Sequence, residues 1–404
     1  MTSDRPGSPP RLPLAVLVLG ATIFCLGTSE FMLAGLLPDL ARDLDVSIPA
    51  AGGLISGFAV GMVVGAPAMA LLTLRLPRRT TLLVSAVVFA VAHLAAVVVD
   101  DYATLLATRV VAAVACATFW AVAAVTAVAI SPPGATARAM AVVVGGLTVA
   151  NVVGVPLGSL VGSQGGWRAA FLAVGLLTLL ATVATALLVP ETREVGDASY
   201  GAVLRRELRT FRRAPLWVAL GTTALFQAAV FCTFSYLAPV VTDVGGLTEG
   251  WVPVVLLAFG LGSVAGVALG GRYADRNLLL NVQASLVALA VALVVLAATA
   301  DLPGAIVASS ALFGIAAFSI ASAINARVLG LAGDAPTLAS AVNVSAFNVG
   351  NALGPALGGL VLAAGAGYRA PVAVSLALTA GALGLALLSR RIERSPDPSV
   401  TLAP

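Results

Sequence analysis

The sequence has no lysine, one histidine, three cysteines and few aromatic residues, and charged residues of every kind fill only 10% of its 404 positions. Each shortage closes a class of function. Without lysine there is no Gly-Lys phosphate loop, so the chain does not hydrolyse nucleotides by that route. One histidine and the scattered Cys25, Cys116 and Cys232 offer no metal-ligand spacing, disulfide framework or ordinary thiol catalytic site. No metal, bound cofactor or enzymatic activity is expected. The shortage of charge says most. A soluble domain carries about 25% charged residues, whereas 60% of this chain is apolar and its mean hydropathy is +1.05. Such a chain cannot cover a water-facing surface, and its solvent is lipid.

A membrane span needs about 20 mostly apolar residues. Charges, prolines and glycines divide the sequence into apolar stretches near 13–37, 47–73, 80–99, 103–130, 139–162, 168–189, 216–241, 251–271, 278–299, 303–326, 336–364 and 369–389. The alternation of a membrane β-barrel is absent. The expectation is an all-α polytopic membrane protein of twelve transmembrane helices. The first stretch is longer than a signal peptide's apolar region and is read as helix 1.

All 22 basic residues are arginine, and they are unevenly placed. With the N-terminus in the cytoplasm, eighteen fall in inner segments: Arg5, Arg11, Arg75, Arg78, Arg79, Arg138, Arg193, Arg205, Arg206, Arg209, Arg212, Arg213, Arg272, Arg276, Arg327, Arg390, Arg391 and Arg394. Only Arg42, Arg168 and Arg369 fall outside, and Arg109 lies within a span. This bias predicts both termini in the cytoplasm of a multi-pass cell-membrane protein. The net charge of +4 is therefore a topology signal, and no nucleic-acid partner is expected.

The chain also repeats itself. Phe58-Ala-Val-Gly61-x-x-x-Gly65 matches Phe259-Gly-Leu-Gly262-x-x-x-Gly266 at an offset of 201, Gly154-x-x-x-Gly158 matches Gly354-x-x-x-Gly358 at 200, and Gly166-Trp167-Arg168 matches Gly367-Tyr368-Arg369 at 201. A translation by six helices predicts two pseudo-symmetric six-helix bundles. The expected order is a tail over 1–12, a bundle over 13–189, a cytoplasmic linker over 190–215, a second bundle over 216–389 and a tail over 390–404. The linker is read as plain connection, with a surface helix over Tyr200 to Arg213 as the alternative. Glycines recur every fourth residue at 57/61/65, 154/158/162, 262/266/270 and 350/354/358. One reading is close helix packing within lipid. Another, compatible with it, is that these four helices face each other across the boundary between halves and slide during transport.

Charge inside the membrane points to function. Of 18 acidic residues only Glu30 lies well inside a span, where insertion costs on the order of 3 kcal/mol. A carboxyl that gains a proton from one side and loses it to the other is the minimum for proton coupling. The alternative is a Glu30 satisfied by the neighbouring hydroxyl of Thr28 or Ser29. Arg109 either works with it or snorkels toward water. His93 is read as a satisfied packing histidine. Among polar and aromatic groups within spans, Trp120, Asn151, Gln227 and Tyr236 are the chosen substrate-binding candidates, with Asn325, Asn343, Asn348 and Asn351 also polar there. An apolar cavity with a few such groups suits an amphipathic, largely uncharged ligand. No acid lies inside a span of the second half, so coupling is expected to rest on the first.

These residues resemble the major facilitator superfamily over essentially the whole chain. Gly27-Thr-Ser-Glu30-Phe-Met-Leu-Ala-Gly-Leu-Leu-Pro38-Asp39 and Gly154-Val-Pro156-Leu-Gly158 are similar to its twelve-helix drug:proton antiporter branch. Gly61-Met-Val-Val-Gly65-Ala-Pro67, running into Leu76-Pro77-Arg78-Arg79, is similar to actinobacterial chloramphenicol exporters. The resemblance implies an exporter of a small drug that alternates between two openings. The proton gradient would be its energy source, a drug, protons and the lipid bilayer its only partners, and a monomer its working form. An exporter of sugars, nucleosides or other metabolites is the alternative, and a receptor that moves nothing is the remote one. It implies that Arg109, followed by Val-Val-Ala-Ala, helps release the proton. It implies conformational roles for Gly65, Arg75, Arg78 and Arg79, for Asp275 and Arg276, and for Gly154, Pro156 and Gly158. The sequence departs from the family at Leu74, where the family loop has Asp, at Pro77, where it has Gly, and at Val155, which separates Gly154 from Pro156. The loss at Leu74 leaves the loop latch in doubt in the first half.

Overall fold

The computed structural model describes residues 12–73, 76–132, 135–191, 214–274, 277–332 and 336–394. Arg5, Arg11, Arg75, Asp275, Arg276, most of the 190–215 linker and the alternative helix over Tyr200 to Arg213 lie outside the described residues. Twelve helices long and apolar enough to cross a membrane are present among those described: α1 (Leu14–Asp43), α2 (Ile48–Ala66), α3 (Arg78–Val97), α4 (Tyr102–Ala129), α5 (Arg138–Gly165), α6 (Trp167–Leu188), α7 (Ala214–Phe234), α8 (Glu249–Arg272), α9 (Leu278–Thr299), α10 (Pro303–Leu331), α11 (Val342–Ala363) and α12 (Ala370–Arg390). Lipid leaves no alternative, because every backbone polar group must find its partner within the segment. Where helices meet water, side chains finish the job. Asp101 accepts from the Thr104 amide at 2.8 Å to open α4, and Asn277 accepts from the Leu280 amide at 3.0 Å to open α9.

The helices form two bundles with one plan. In the first, α1 packs on α5 and α6, α4 on α2 and α3, and α3 on α6. In the second, α7 packs on α11 and α12, α10 on α8 and α9, and α9 on α12. Moving six helices along the chain turns each pair into its counterpart. The repeat reaches the polar ends as well. Gly166 and Gly367 take φ values of +76° and +74°, a left-handed conformation suited to glycine. Each leads into an arginine paired with an acid, Arg168 with Asp100 at 2.8 Å and Arg369 with Asp301. Both partners have moved by 201.

The glycine stripes do not face the boundary between halves. Gly57, Gly61 and Gly65 back onto Leu106, Ala113 and Val114 of α4, and Gly154, Gly158 and Gly162 onto Thr28, Met32 and Leu36 of α1. Gly262, Gly266 and Gly270 back onto Ala311, Ile315 and Ser319 of α10. Gly350, Gly354 and Gly358 back onto Gln227, Cys232 and Tyr236 at α7. The stripes therefore weld each bundle internally, as the packing reading has it, while the helices that carry them still meet across the boundary. α2 does meet α11 and α5 does meet α8 across the boundary, but through other residues. Ser56 donates to the Ala352 carbonyl at 2.8 Å, and Gly260 lies against the backbone of Asn151 and Val152.

A further link closes the Arg-poor end. Arg42 on α1 pairs with Asp39 in its own helix and with Glu249 at the start of α8, both at 2.6 Å. Exposed pairs of this kind contribute about 0.2–1 kcal/mol each, enough to bias two conformations and too little to lock them. A correction concerns Arg327. It is not a loop arginine but lies within α10, buried, with a guanidinium nitrogen donating to Ser389 at 2.6 Å.

The halves differ in their breaks. α5 widens into a π turn over Ala150–Gly154, with the Val155 amide bonded back to the Ala150 carbonyl. Pro156 follows at once, lacking an amide hydrogen and crowding the preceding turn. α11 has its proline, Pro355, inside an unbroken helix, while α7 stops at Phe234 before Tyr236. A methyl group tests the stripes. Gly266→Ala drives a Cβ into the Ile315 backbone, and such overpacking costs about 1–3 kcal/mol. Gly330→Ala points into open space. Thermal unfolding in detergent micelles should show the first variant destabilised and the second at or above wild type.

Candidate functional site

Two consecutive residues of α1 divide the site between them. Successive positions on a helix point about 100° apart, so Ser29 turns into the first bundle and Glu30 toward the second. Ser29 is fully buried. Its hydroxyl accepts from Arg109 Nη1 at 2.7 Å, and its carbonyl accepts from Arg109 Nη2 at 3.1 Å. His93 Nε2 lies 2.5 Å from the same hydroxyl, and Nδ1 lies 2.8 Å from the Phe89 carbonyl. A carbonyl only accepts, so Nδ1 carries the hydrogen and Nε2 accepts from Ser29. The chain therefore runs from the Arg109 donor through the Ser29 hydroxyl to His93.

Aromatic rings hold the cation from the other sides. The Arg109 guanidinium carbon stands 4.3 Å from the Phe58 ring centre and 5.8 Å from that of Phe171. His93 stacks between Phe89 and Phe171. Cation–π contact is worth about 2 kcal/mol or more when desolvated. At 1% exposure Arg109 does not snorkel toward water. No ion pair to it is present among the described residues, and its Nε has no hydrogen-bond partner.

Glu30 is half-buried and makes no hydrogen bond to this cluster among the described residues. Neither neighbouring hydroxyl serves it, because Thr28 donates to the Phe24 carbonyl at 2.8 Å and Ser29 is committed to His93. Its contact comes from the second half, where Asn351 Nδ2 on α11 donates to Glu30 Oε1 at 3.4 Å. Asn351 is held in turn by Gln227 of α7, whose Nε2 donates to Asn351 Oδ1 at 2.8 Å. One acid thus touches both bundles.

The structure joins Glu30, Gln227 and, through Ser29, Arg109. The other expected residues lie elsewhere. Trp120 is half-buried on α4, packed against the core. Asn151 sits in the π turn of α5, opposite Gly260. Tyr236 is fully buried and donates to the Pro355 carbonyl at 2.7 Å, so its hydroxyl is spent within its own half. Of the conformational residues, Gly65 meets Val114, Gly154 meets Thr28, Gly158 meets Met32, and Pro156 lies buried beside the π turn. Arg79 donates to the Ala186 carbonyl, the electronegative end of α6, and Arg78 also opens α3. The residues missed were Ser29, the link from His93 to Arg109, and the place of Asn351. One signal was available: Asn151 and Asn351 are 200 apart, the offset of the α5 and α11 glycines.

Comparison with known proteins agrees with this architecture. The family model of the Major Facilitator Superfamily matches residues 19–343. A chloramphenicol resistance protein of Streptomyces lividans is 41% identical over 96% of this chain and 99% of its own length. The inner membrane transport protein YdhP of Escherichia coli K12 is 37% identical over 95% of this chain and 97% of its own. The inward-facing, unoccupied crystal structure of a bacterial homologue of the human lysosomal transporter Spinster superposes with a TM-score of 0.73 at 18% identity. That match covers 95% of this chain and 98% of the homologue.

The Arg109 cluster makes its own prediction. Ser29→Ala leaves a buried guanidinium donor and the His93 acceptor without partners, at a cost of about 1–3 kcal/mol. Ser29→Thr keeps the hydroxyl. Thermal unfolding of the two purified variants in micelles should place the alanine protein well below wild type and the threonine protein close to it.

Proposed function

The chain belongs to the Major Facilitator Superfamily and is a multi-pass cell-membrane transporter, not an enzyme, and from that premise we propose that it exports a small amphipathic drug in exchange for protons. The observation that carries this reading is Glu30. It is the acid in the middle of a span, it reaches the boundary between halves, and its polar contact there comes from the opposite bundle. A proton carried on that carboxyl changes its contact with Asn351 of the opposite bundle.

Arg109 supplies the counterforce. Its charge acts on Glu30 through space while its hydrogen bonds go to Ser29, the adjacent residue. An ionised Glu30 attracts the guanidinium, whereas a protonated Glu30 leaves it to Ser29. In a low-dielectric interior that difference is large, and small turns of α1 decide which residue the guanidinium meets. Drug binding from the cytoplasm favours loss of the proton. Reprotonation from outside then permits the return by rocking of the two halves, and the proton is lost to the cytoplasm once the Arg-poor end has closed, so one proton enters for each neutral drug that leaves. Both termini would lie in the cytoplasm, as the arginine bias requires.

Chloramphenicol or a related antibiotic is the proposed cargo. It is neutral and amphipathic, and the polar groups offered beside Glu30 by the second half, Gln227 and Asn351, are amides. The relative from Streptomyces lividans supports the same class.

Cells expressing the chain should accumulate less chloramphenicol than cells without it, and a protonophore should abolish the difference. Glu30→Gln should reach the membrane in normal amount and leave accumulation at the level of cells lacking the gene. Full efflux by that variant would remove Glu30 from the mechanism.

A further inference from the structure

The geometry around Glu30 assigns a second residue to the coupling step. Asn351 presents a donor, not an acceptor, because Gln227 Nε2 occupies its Oδ1 at 2.8 Å and fixes which way the amide points. The Nδ2 hydrogens are directed at Glu30 Oε1 at 3.4 Å and at Asn348 Oδ1 at 3.5 Å. A donor in that place suits a carboxylate. A protonated Glu30 brings its own O–H and meets another donor, so the contact weakens. At 3.4 Å the bond is long for an N–H···O contact, and a small displacement makes or breaks it. The contact also crosses the boundary between halves, in a conformation whose Arg-poor end is bridged by Arg42 and Glu249.

We propose that Asn351, oriented by Gln227, is a positioning residue that reads the charge of Glu30 from the opposite bundle and ties closure of the Arg-poor end to the deprotonated acid. The proposal rests on Glu30 being the coupling carboxyl. Other groups near it are Arg109 and Cys116 on α4 and, behind Ser29, His93 on α3. Cys25 and Asp39 share its helix, and Cys232 and Tyr236 belong to the α7 side. Among the described residues, none of the latter four hydrogen-bonds with it or with Asn351. The amides of α7 and α11 carry no charge of their own.

The test uses the full chain in lipid nanodiscs, without drug, so that it does not depend on the cargo. Spin labels at Gln164→Cys and Ala364→Cys mark exposed sites at the Arg-poor ends of α5 and α11, and the three native cysteines are buried. The distance between labels is followed from pH 5 to pH 9 (roughly the range a coupling carboxyl must cross). Wild type should open as the pH falls, and Glu30→Gln should not respond. Asn351→Leu should move the midpoint up by about one pH unit, a tenfold change in proton affinity. Asn351→Asp, of nearly the same shape, should move it further, because its carboxylate repels an ionised Glu30 and offers an acceptor to the protonated acid. Gln227→Leu should move it in the same direction by less. A silent Glu30→Gln together with Asn351→Leu and Asn351→Asp at the wild-type midpoint would overturn the proposal and leave Glu30 in place. A pH response that survives in Glu30→Gln would overturn the reading of Glu30 itself, and a wild type that does not respond would overturn the proposal.

Discussion

A guanidinium in the middle of a membrane protein has to be stabilised without water, and here, among the described residues, that is done without a direct ion pair. Arg109 rests on one serine, through both its hydroxyl and its carbonyl, and on two phenylalanine rings. Isolated charges in hydrocarbon are costly by any measure, and each partner is needed. His93 matters because it takes the Ser29 hydrogen and turns the hydroxyl oxygen toward Arg109. The arrangement leaves Glu30, one position further along, free to face the other half. Had Arg109 and Glu30 been locked in a direct ion pair, the carboxyl would hold its proton less readily and could not meet Asn351 in the same way.

The two bundles show which parts of the plan are structural and which are chemical. Helix pairing, glycine stripes and the arginine–aspartate pairs at the Arg-poor end recur under a shift of about 200 residues. The charged cluster does not. At 201 beyond Arg109 stands Ser310, fully buried with a hydroxyl that has no partner. At 201 beyond Phe58 stands Phe259, which packs among Phe234, Phe313 and Phe318 instead of beneath a cation. The second half answers with amides on α7 and α11, and its buried Arg327 is bonded to Ser389. Repetition built the scaffold, and divergence put an acid on one side of the boundary and its neutral reader on the other.

Much of this was legible before any coordinates. Lipid imposes helices, a span has a fixed length, and both signals are carried by composition alone, so twelve spans and two halves followed from apolar runs and repeated glycines. Glu30 and Arg109 stood out because charge is rare where water is absent. What was not legible was direction. A glycine every fourth residue states that one face is thin, not which neighbour presses on it, and the stripes proved to face inward to each bundle. A polar residue in a span gives no sign of whether its hydrogen bonds are already made. Tyr236 and Asn351 looked alike in the sequence, yet one spends its hydroxyl on Pro355 while the other reaches Glu30.

The central claim is that drug and proton compete through Glu30. The most direct measurement is the pH change when chloramphenicol is added to purified protein in weakly buffered micelles, on the acidic side where Glu30 holds its proton. Binding that favours the ionised carboxyl must release what it displaces, by linkage. The account predicts acidification approaching about one proton per drug bound, absent in Glu30→Gln. Saturable binding of the drug to wild type with no proton released would contradict it.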